Sequence, residues 1–403
     1  MMKLLMATAL ASALATLPLA ALASAPAPAP GYRLLRSFGL KKAPARPYSP
    51  VIAGPDGTLY GTTSEGGQYE RGTVYAINPA DGSAKVLDAF GASGTRDGRS
   101  VHWALVRDSA GNLYGVAWSG GTHDLGTVFK IDAKTHAETL LHAFAGGADD
   151  GAHPSGPLLL DPQGNLFGTT LNGGPNDTGV VFEISPGGTE KVVYAFGPNS
   201  GSGPREPNGY LALDSAGHLY GTTIRGGAQN RGAVYKLTLG TGSTAATLTL
   251  LHSFAGNDDG HIPSGVVLDA ARKVLYGTTD FGGAMNDGTV FACAIDGSAE
   301  RVVYMFQGPD RGDGRMPDGG LTLDSTGKLY GTTQIGGGGD ARGILFMIDP
   351  ATGHETVLRR FGTTAGDGKD PMPAPIIDAA GELVGVTSGG GSNDTGTVYI
   401  MPR

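Results

Sequence analysis

Three features of the sequence predict an all-β protein, a seven-bladed β-propeller of four-stranded blades in which an N-terminal strand completes the C-terminal blade. The stretch Leu-Tyr-Gly-Thr-Thr or a near variant, followed by a Gly-Gly pair, begins at Leu59, Leu113, Leu166, Leu219, Leu275, Leu329 and Leu383, so successive copies are 54, 53, 53, 56, 54 and 54 residues apart. A second signature, two aliphatic residues and two further residues before a Phe, ends at Phe38, Phe90, Phe144, Phe196, Phe254, Phe306 and Phe361. Glycine is 69 of 403 residues, and short apolar runs bounded by Gly, Asp and Asn stand where helix-period patterning would otherwise be. A period this regular marks units that bury their apolar faces against one another.

The chain opens with Met1-Met2-Lys3 and an Ala/Leu-rich run to about Ala23, with Ala21-Leu22-Ala23 as the small-residue site a signal peptidase needs. Residues 1–23 therefore read as a secretory signal peptide and residues 24–31, with their alternating Ala and Pro, as an extended linker. Pro18 and the weak apolarity of alanine argue against an uncleaved anchor, so no membrane insertion is expected after cleavage. Residues 32–403 form the single propeller domain.

The third copy displays the repeat most plainly. Its strands are Pro157 to Leu160, Leu166 to Leu171, Val180 to Ile184 and Lys191 to Phe196, joined by turns rich in Asp, Asn, Gly and Pro. The first Phe signature precedes the first Leu-Tyr-Gly-Thr-Thr copy. The last copy stops at Thr397-Val398-Tyr399-Ile400-Met401 without a fourth strand. The N-terminal segment thus supplies the strand that the C-terminal blade lacks, which removes the exposed edges of an open array.

Composition narrows the function. The net charge is −8 with no basic cluster, which excludes nucleic acid and an anionic membrane surface as expected partners. The lone Cys293 lies in an apolar run and reads as a small buried hydrophobe. The nine histidines are scattered without metal-ligand spacing, and no nucleophile elbow or phosphate loop is present, so no catalytic residue, metal or cofactor is expected. The recurring Asp-Gly steps at Asp97, Asp150, Asp259, Asp313 and Asp367 read as turns rather than calcium loops, because no run supplies alternating oxygen ligands.

The combination of Leu-Tyr-Gly-Thr-Thr, Gly-Gly, Gly-Thr-Val-Phe, Leu-Leu-x-x-Phe and Asp-Gly-x-x-Pro resembles the GloVer tandem repeat of bacterial secreted "choice-of-anchor" proteins, over about Tyr32 to Tyr399. The resemblance implies export and surface association and carries no catalytic residues with it. Members of that family often end in an anchoring segment. This chain ends at Pro402-Arg403, from which a soluble secreted or periplasmic protein is expected.

The loops between second and third strands and the links between blades share one face and vary most between copies, so a ligand is expected there. Candidate polar groups on that face are Glu65, His153, Arg205, Glu206, Arg225, Arg231 and His261. The second copy departs furthest, with Trp118 after its Val-Ala and with His102-Trp103 where the third has Ser155-Gly156. These are the only two tryptophans. A hairpin turning near Ala110 sets Trp118 across from position 102 or 103, with His123 and Asp124 in the next loop, and the ligand-binding residues are therefore predicted to be Trp103, Trp118, His102, His123 and Asp124. Aromatic faces beside hydrogen-bonding groups suit a sugar ring, although two large side chains filling a gap between blades is the commoner arrangement. The expected function is a non-catalytic extracellular binding module for a glycan or cell-envelope polymer. A secreted polysaccharide lyase or glycosidase is the alternative, which a polar cluster converging across blades at the channel mouth would favour, and an envelope interaction scaffold is the third.

Overall fold

The computed structural model describes residues 31–40, 42–92, 94, 97–240 and 244–403, so the expected signal peptide and nearly all of the linker lie outside the described residues. The described residues are all-β apart from a short 3-10 turn at Pro309–Arg311. Among them the strands pair into seven four-stranded antiparallel units, one for each sequence copy. The fourth unit, for example, runs Arg205–Leu213, His218–Arg225, Ala233–Thr238 and Thr247–Ser253. A single parallel bridge, Tyr210 to Gly265, joins its innermost strand to that of the fifth unit.

The seventh unit consists of Ile376–Ile377, Leu383–Thr387, Thr397–Met401 and the N-terminal Arg33–Ser37. Arg33 lies opposite Ile400 and Ser37 opposite Thr397, with a bulge between Leu34 and Arg36. The first and last strands of the described residues thus share one sheet.

The repeated Gly of Leu-Tyr-Gly-Thr-Thr has a steric cause. Gly221 pairs with Tyr235 on the next strand, and a Cβ at Gly221 would collide with the tyrosine ring. Every copy sets an aromatic opposite its glycine: Tyr75, Phe129, Phe182, Tyr235, Phe291, Phe346 and Tyr399. Each of these rings in turn receives the Phe that ends the fourth strand of the preceding unit. Phe90 meets Phe129 at 4.9 Å, Phe254 meets Phe291 at 5.1 Å, and Phe38 of the last unit meets Tyr75 of the first at 5.1 Å. Edge-on aromatic pairs at this separation add about 0.5–1.5 kcal/mol beyond the area they bury. The core therefore lies between units: one apolar cluster joins Leu35, Phe38 and Val398 of the seventh unit to Leu59, Tyr75 and Ile77 of the first.

Three of the seven rings are tyrosines whose hydroxyls, in Tyr75, Tyr235 and Tyr399, are buried without a hydrogen-bond partner in the described structure. Burial pushes all three hydroxyls well above the usual tyrosine range. An unsatisfied buried hydroxyl costs about 1–3 kcal/mol, and four other copies use Phe at the same register. Tyr235→Phe is accordingly expected to raise the denaturation midpoint, by about 1 kcal/mol of stability. A loss of stability on urea titration would show that the hydroxyl has a partner in solution.

Candidate functional site

Each unit enters its innermost strand through a kink. The residue before the recurring Pro (Val101 in the second unit) sits in the left-handed region: Arg46, Ser100, His153, Glu206, Ile262, Met316 and Asp370 have φ between 54° and 59°. This conformation is uncommon for any L-residue and an outlier for β-branched Ile262. It is held by the neighbouring unit, since Glu206 N–H donates to Thr178 O at 2.8 Å and Ile262 N–H to Arg231 O at 3.2 Å. Beyond the Pro stands one variable side chain per unit: Tyr48, His102, Ser155, Asn208, Ser264, Asp318 and Met372. All of these except Ser155 line a single cavity of about 500 Å³. Residues from six units thus converge on this cup. Ser155 is buried, its hydroxyl donating to Pro207 O at 2.6 Å.

Trp103, Ser64, Glu65 and Asp280 also line the cup. Tyr210 lines both the cup and three further cavities, whose other walls are mostly apolar residues such as Leu105, Leu158, Leu211 and Val266. The cup is thus a recess of mixed polar and apolar lining that shares Tyr210 with the neighbouring cavities.

Its charge is one-sided. Glu65, Asp280 and Asp318 line it, and no Lys or Arg does. Arg46 reaches Glu65 from outside the lining, at 3.3 Å. Asp280 accepts a 2.8 Å bond from the Ser264 hydroxyl, yet burial and the nearby Asp318 push it up to about 7. Burial pushes Asp318 up to about 6. His102 packs edge-on against Tyr48 at 5.4 Å, and burial lowers its pKa against the pull of Glu65.

The five residues singled out in the sequence fall in three places. His102 and Trp103 line the cup, with the Trp103 indole N–H donating to Pro154 O at 3.0 Å and its ring half-buried against the apolar cluster of the second and third units. Trp118 stacks on His153, ring centroids 4.9 Å apart, and does not line the cup. The expected pairing of Trp118 with position 102 or 103 is not found, because its N–H donates to Ser100 O at 3.3 Å. The kink at Ser100 ends the ladder there, and the residues that follow, His102 and Trp103, line the cup. His123 and Asp124 are exposed and line a separate hollow of about 340 Å³ with Arg71 and Arg99. Asp124 pairs with Arg99 and accepts Gly120 N–H at 2.9 Å, the turn-closing role that Asp177, Asn230, Asn286 and Asp394 play in other units. Of the other candidates, Glu206 pairs with Arg225 at 2.9 Å, Arg205 donates to Asn230 at 2.6 Å and His261 stacks on Phe281.

A family model for the Gloeobacter/Verrucomicrobia repeat matches residues 26–211 and again 199–399. The chain belongs to the Gloeobacter/Verrucomicrobia repeat family. No curated protein matches its sequence. Among solved structures, an oligogalacturonate lyase in complex with manganese superposes with a TM-score of 0.55 at 10% identity, covering 89% of each chain. A second oligogalacturonate lyase, from Vibrio parahaemolyticus, gives 0.55 at 12% identity over 92% of this chain and 93% of its own. A provisional 6-phosphogluconolactonase from Bacteroides fragilis gives 0.52 at 18% identity, covering 82% and 87%. At these identities the likeness is one of fold, and the fold is propeller-like. No helix among the described residues is long and apolar enough to cross a membrane.

In this member of the repeat family the Asp of each Asp-Gly link closes its own turn. Asp150 accepts Ala145 N–H and Gly151 N–H, both at 2.7 Å, and Asp313 accepts Gln307 N–H at 2.7 Å and Gly314 N–H at 2.6 Å. Facing the link Asp are a fourth-strand residue of one unit and, at four interfaces, a Glu of the next. His142, Asp150 and Glu190 form one such cluster, with ligand atoms all within 4.8 Å of one another. His252, Asp259 and Glu300 repeat it. At a third interface Tyr304 takes the place of His and donates to Asp313 at 2.9 Å, whereas in the first unit the same position is Asp88, whose carboxyl is raised by burial and by the charge of Asp97.

These clusters make stability depend on pH. Burial pushes Glu138, Glu300 and Glu355 each up to about 7, with the charges of Asp88 and Asp97, of Asp259 and of Asp313 adding to it in turn. A carboxyl whose folded value exceeds its unfolded value near 4.5 holds its proton more tightly when folded. Its contribution is complete below that value and is lost as pH rises through about 7. Asp280 and Asp318 act in the same sense, as does His142, raised by Asp150. His102, His252 and His261, lowered by burial, oppose it as pH falls through their range. The carboxyls outnumber the opposing imidazoles, so the melting temperature is expected to be higher at pH 5.5 than at pH 8 by several degrees. An unchanged or lower value at pH 5.5 would contradict these assignments.

Proposed function

We propose that this chain is a secreted or periplasmic binding module, a closed seven-bladed ring whose cup at the channel mouth takes a glycan or cell-envelope polymer. The observation that carries the reading is the convergence of one variable side chain from each of six units on one cavity of about 500 Å³. That volume lies within the range of small-ligand sites, and aromatic and hydroxyl groups among a few charged ones suit a sugar. Closure is supported by the N-terminal strand in the seventh unit and by the Phe38–Tyr75 contact between last and first units. Export is supported by the leader-like residues 1–23 and by the repeat family.

A second reading, a carbohydrate-active enzyme, is favoured by one specific feature. Asp280 and Asp318 come from different units to one cavity with raised affinities for protons, as a general acid requires. The solved oligogalacturonate lyases do not transfer their substrate to this chain. A cup lined by three acids and no Lys or Arg repels a polyuronate.

A glycan-array screen of residues 24–403, with chromatography of each hit after long incubation, tests both readings. Retention of an intact glycan by wild type, lost on Trp103→Ala, supports the module. Shortened or unsaturated products that vanish in Asp280→Asn establish the enzyme. Glycan retention unaffected by Trp103→Ala and Asp280→Asn would remove the cup from the account.

A further inference from the structure

Of the three acids that line the cup, Glu65 is paired with Arg46, whereas Asp280 and Asp318 have no cation beside them among the described residues. Asp280 has one hydrogen-bond donor, the Ser264 hydroxyl, and Asp318 has none among the described residues. Protein atoms crowd both groups on nearly every side except toward the cavity that they line. Two acids buried elsewhere in the chain are supplied with a cation. Asp367 has Arg359 at 2.7 Å, and Asp269 has Arg272 at 2.6 Å. Isolated buried charge is costly, so two acids held side by side at an open recess mark a place prepared for a cation from outside. The side chains suit an organic ammonium. Tyr48, Trp103 and Tyr210 add aromatic faces and Asn208 and Ser264 add neutral hydrogen-bonding groups to the same wall.

We propose that the cup recognises a glycan unit bearing a free amino group, with its ammonium between Asp280 and Asp318 and its ring against the aromatic wall. The inference rests on the glycan reading of the cup but adds to it the charge of the ligand. A de-N-acetylated amino sugar fits this description, whereas an N-acetylated sugar, a neutral hexose or a uronate does not. Binding of the ammonium requires both carboxyls ionised, so protons leave the protein on binding. The groups that bear on them are each other, Glu65 with Arg46 behind it, His102, Tyr48 and Tyr210.

Isothermal titration of the mature chain with glucosamine oligomers, their N-acetylated counterparts, cello-oligomers and spermidine tests this. Glucosamine oligomers are expected to bind about 10–100-fold more tightly than the N-acetylated and neutral ones, the range of a charge-assisted hydrogen bond. Affinity should rise between pH 5.5 and 7, with protons released in buffers of differing ionisation heat, and the preference should disappear in Asp280→Asn and Asp318→Asn. Both variants remove a buried charge and should fold, which melting curves check; Ser264→Ala is a milder variant that should weaken binding less. Equal binding of amino, N-acetyl and neutral oligomers would overturn the inference and leave the glycan reading standing. Spermidine binding with no oligosaccharide bound would do the reverse, keeping the ammonium site and removing the glycan. Calcium that binds the cup and excludes the amines would overturn the inference, as would no binding of any probe.

Discussion

Deletion of residues 32–38 is expected to destabilise the whole protein by several kcal/mol. Within this segment Leu35 is 9% and Phe38 2% exposed, and burial of such side chains stabilises by about 1.5–3 kcal/mol each, an upper estimate set by the unfolded reference. Leu34, on the outer side of the strand at 37% exposure, adds little. Phe38 is also bound through its backbone, its N–H donating to Gly396 O at 3.0 Å and its carbonyl accepting from Asn393 at 3.0 Å and Thr395 at 2.9 Å. Loss of the strand would expose the edge of Thr397–Met401 and uncover Tyr75 of the first unit. A total of this size is a large share of ordinary stability, and the bared edge invites aggregation. Calorimetry of the truncated chain checks this, and a melting temperature equal to that of the full chain would remove the N-terminal strand from the account of closure.

Arg359→Ala is expected to cost about 3–5 kcal/mol, the usual effect of removing one partner of a buried ion pair. The Arg359 and Asp367 side chains are 6% and 1% exposed and 2.7 Å apart. The guanidinium lies 3.3 Å from the ring centroid of Tyr32, whose hydroxyl donates to Asp367 at 3.3 Å. Burial raises the Tyr32 hydroxyl well above the usual range despite the arginine, so this hydroxyl stays protonated. The site thus joins the sixth unit, the link and the N-terminal segment through one charge. Pairing the change with Asp367→Asn should restore much of the loss, because the orphaned carboxylate accounts for most of it. Equal losses in the single and double variants would show that packing of the arginine stem, rather than charge, sets the effect.

Much of the architecture is legible because its causes are local and recur. The glycine of each Leu-Tyr-Gly-Thr-Thr answers to one aromatic ring, and the Phe signature answers to the same ring from the preceding unit, so both appear in the sequence at the same period. The placement of Arg33–Ser37 in the last unit follows from counting those signatures. The site was less legible. His102 and Trp103 stood out as departures from the repeat, but the same offset after the recurring Pro also holds Tyr48, Asn208, Ser264, Asp318 and Met372, and it is this offset across copies that builds the cup. The signal was in the register. Asp280 occupies the position of Trp118 in its own copy, yet it faces the cup while Trp118 stacks on His153. Which way that residue turns depends on the kink and its neighbour across the interface, and no spacing rule carries that information. The raised proton affinities of Asp280 and Asp318 likewise arise from burial by several units at once.

The claim that the cup is the ligand site is tested most directly by tryptophan emission in a Trp118→Phe variant. Trp118 lies against His153 and outside the cup lining, so its replacement leaves Trp103, part of the wall, as the sole tryptophan. Titration with a glycan whose binding is established by calorimetry is expected to shift the Trp103 emission and to reduce its quenching by acrylamide, both saturating at the calorimetric dissociation constant. Saturable binding of that glycan with Trp103 emission and quenching unchanged would contradict the account and move the site elsewhere on the ring.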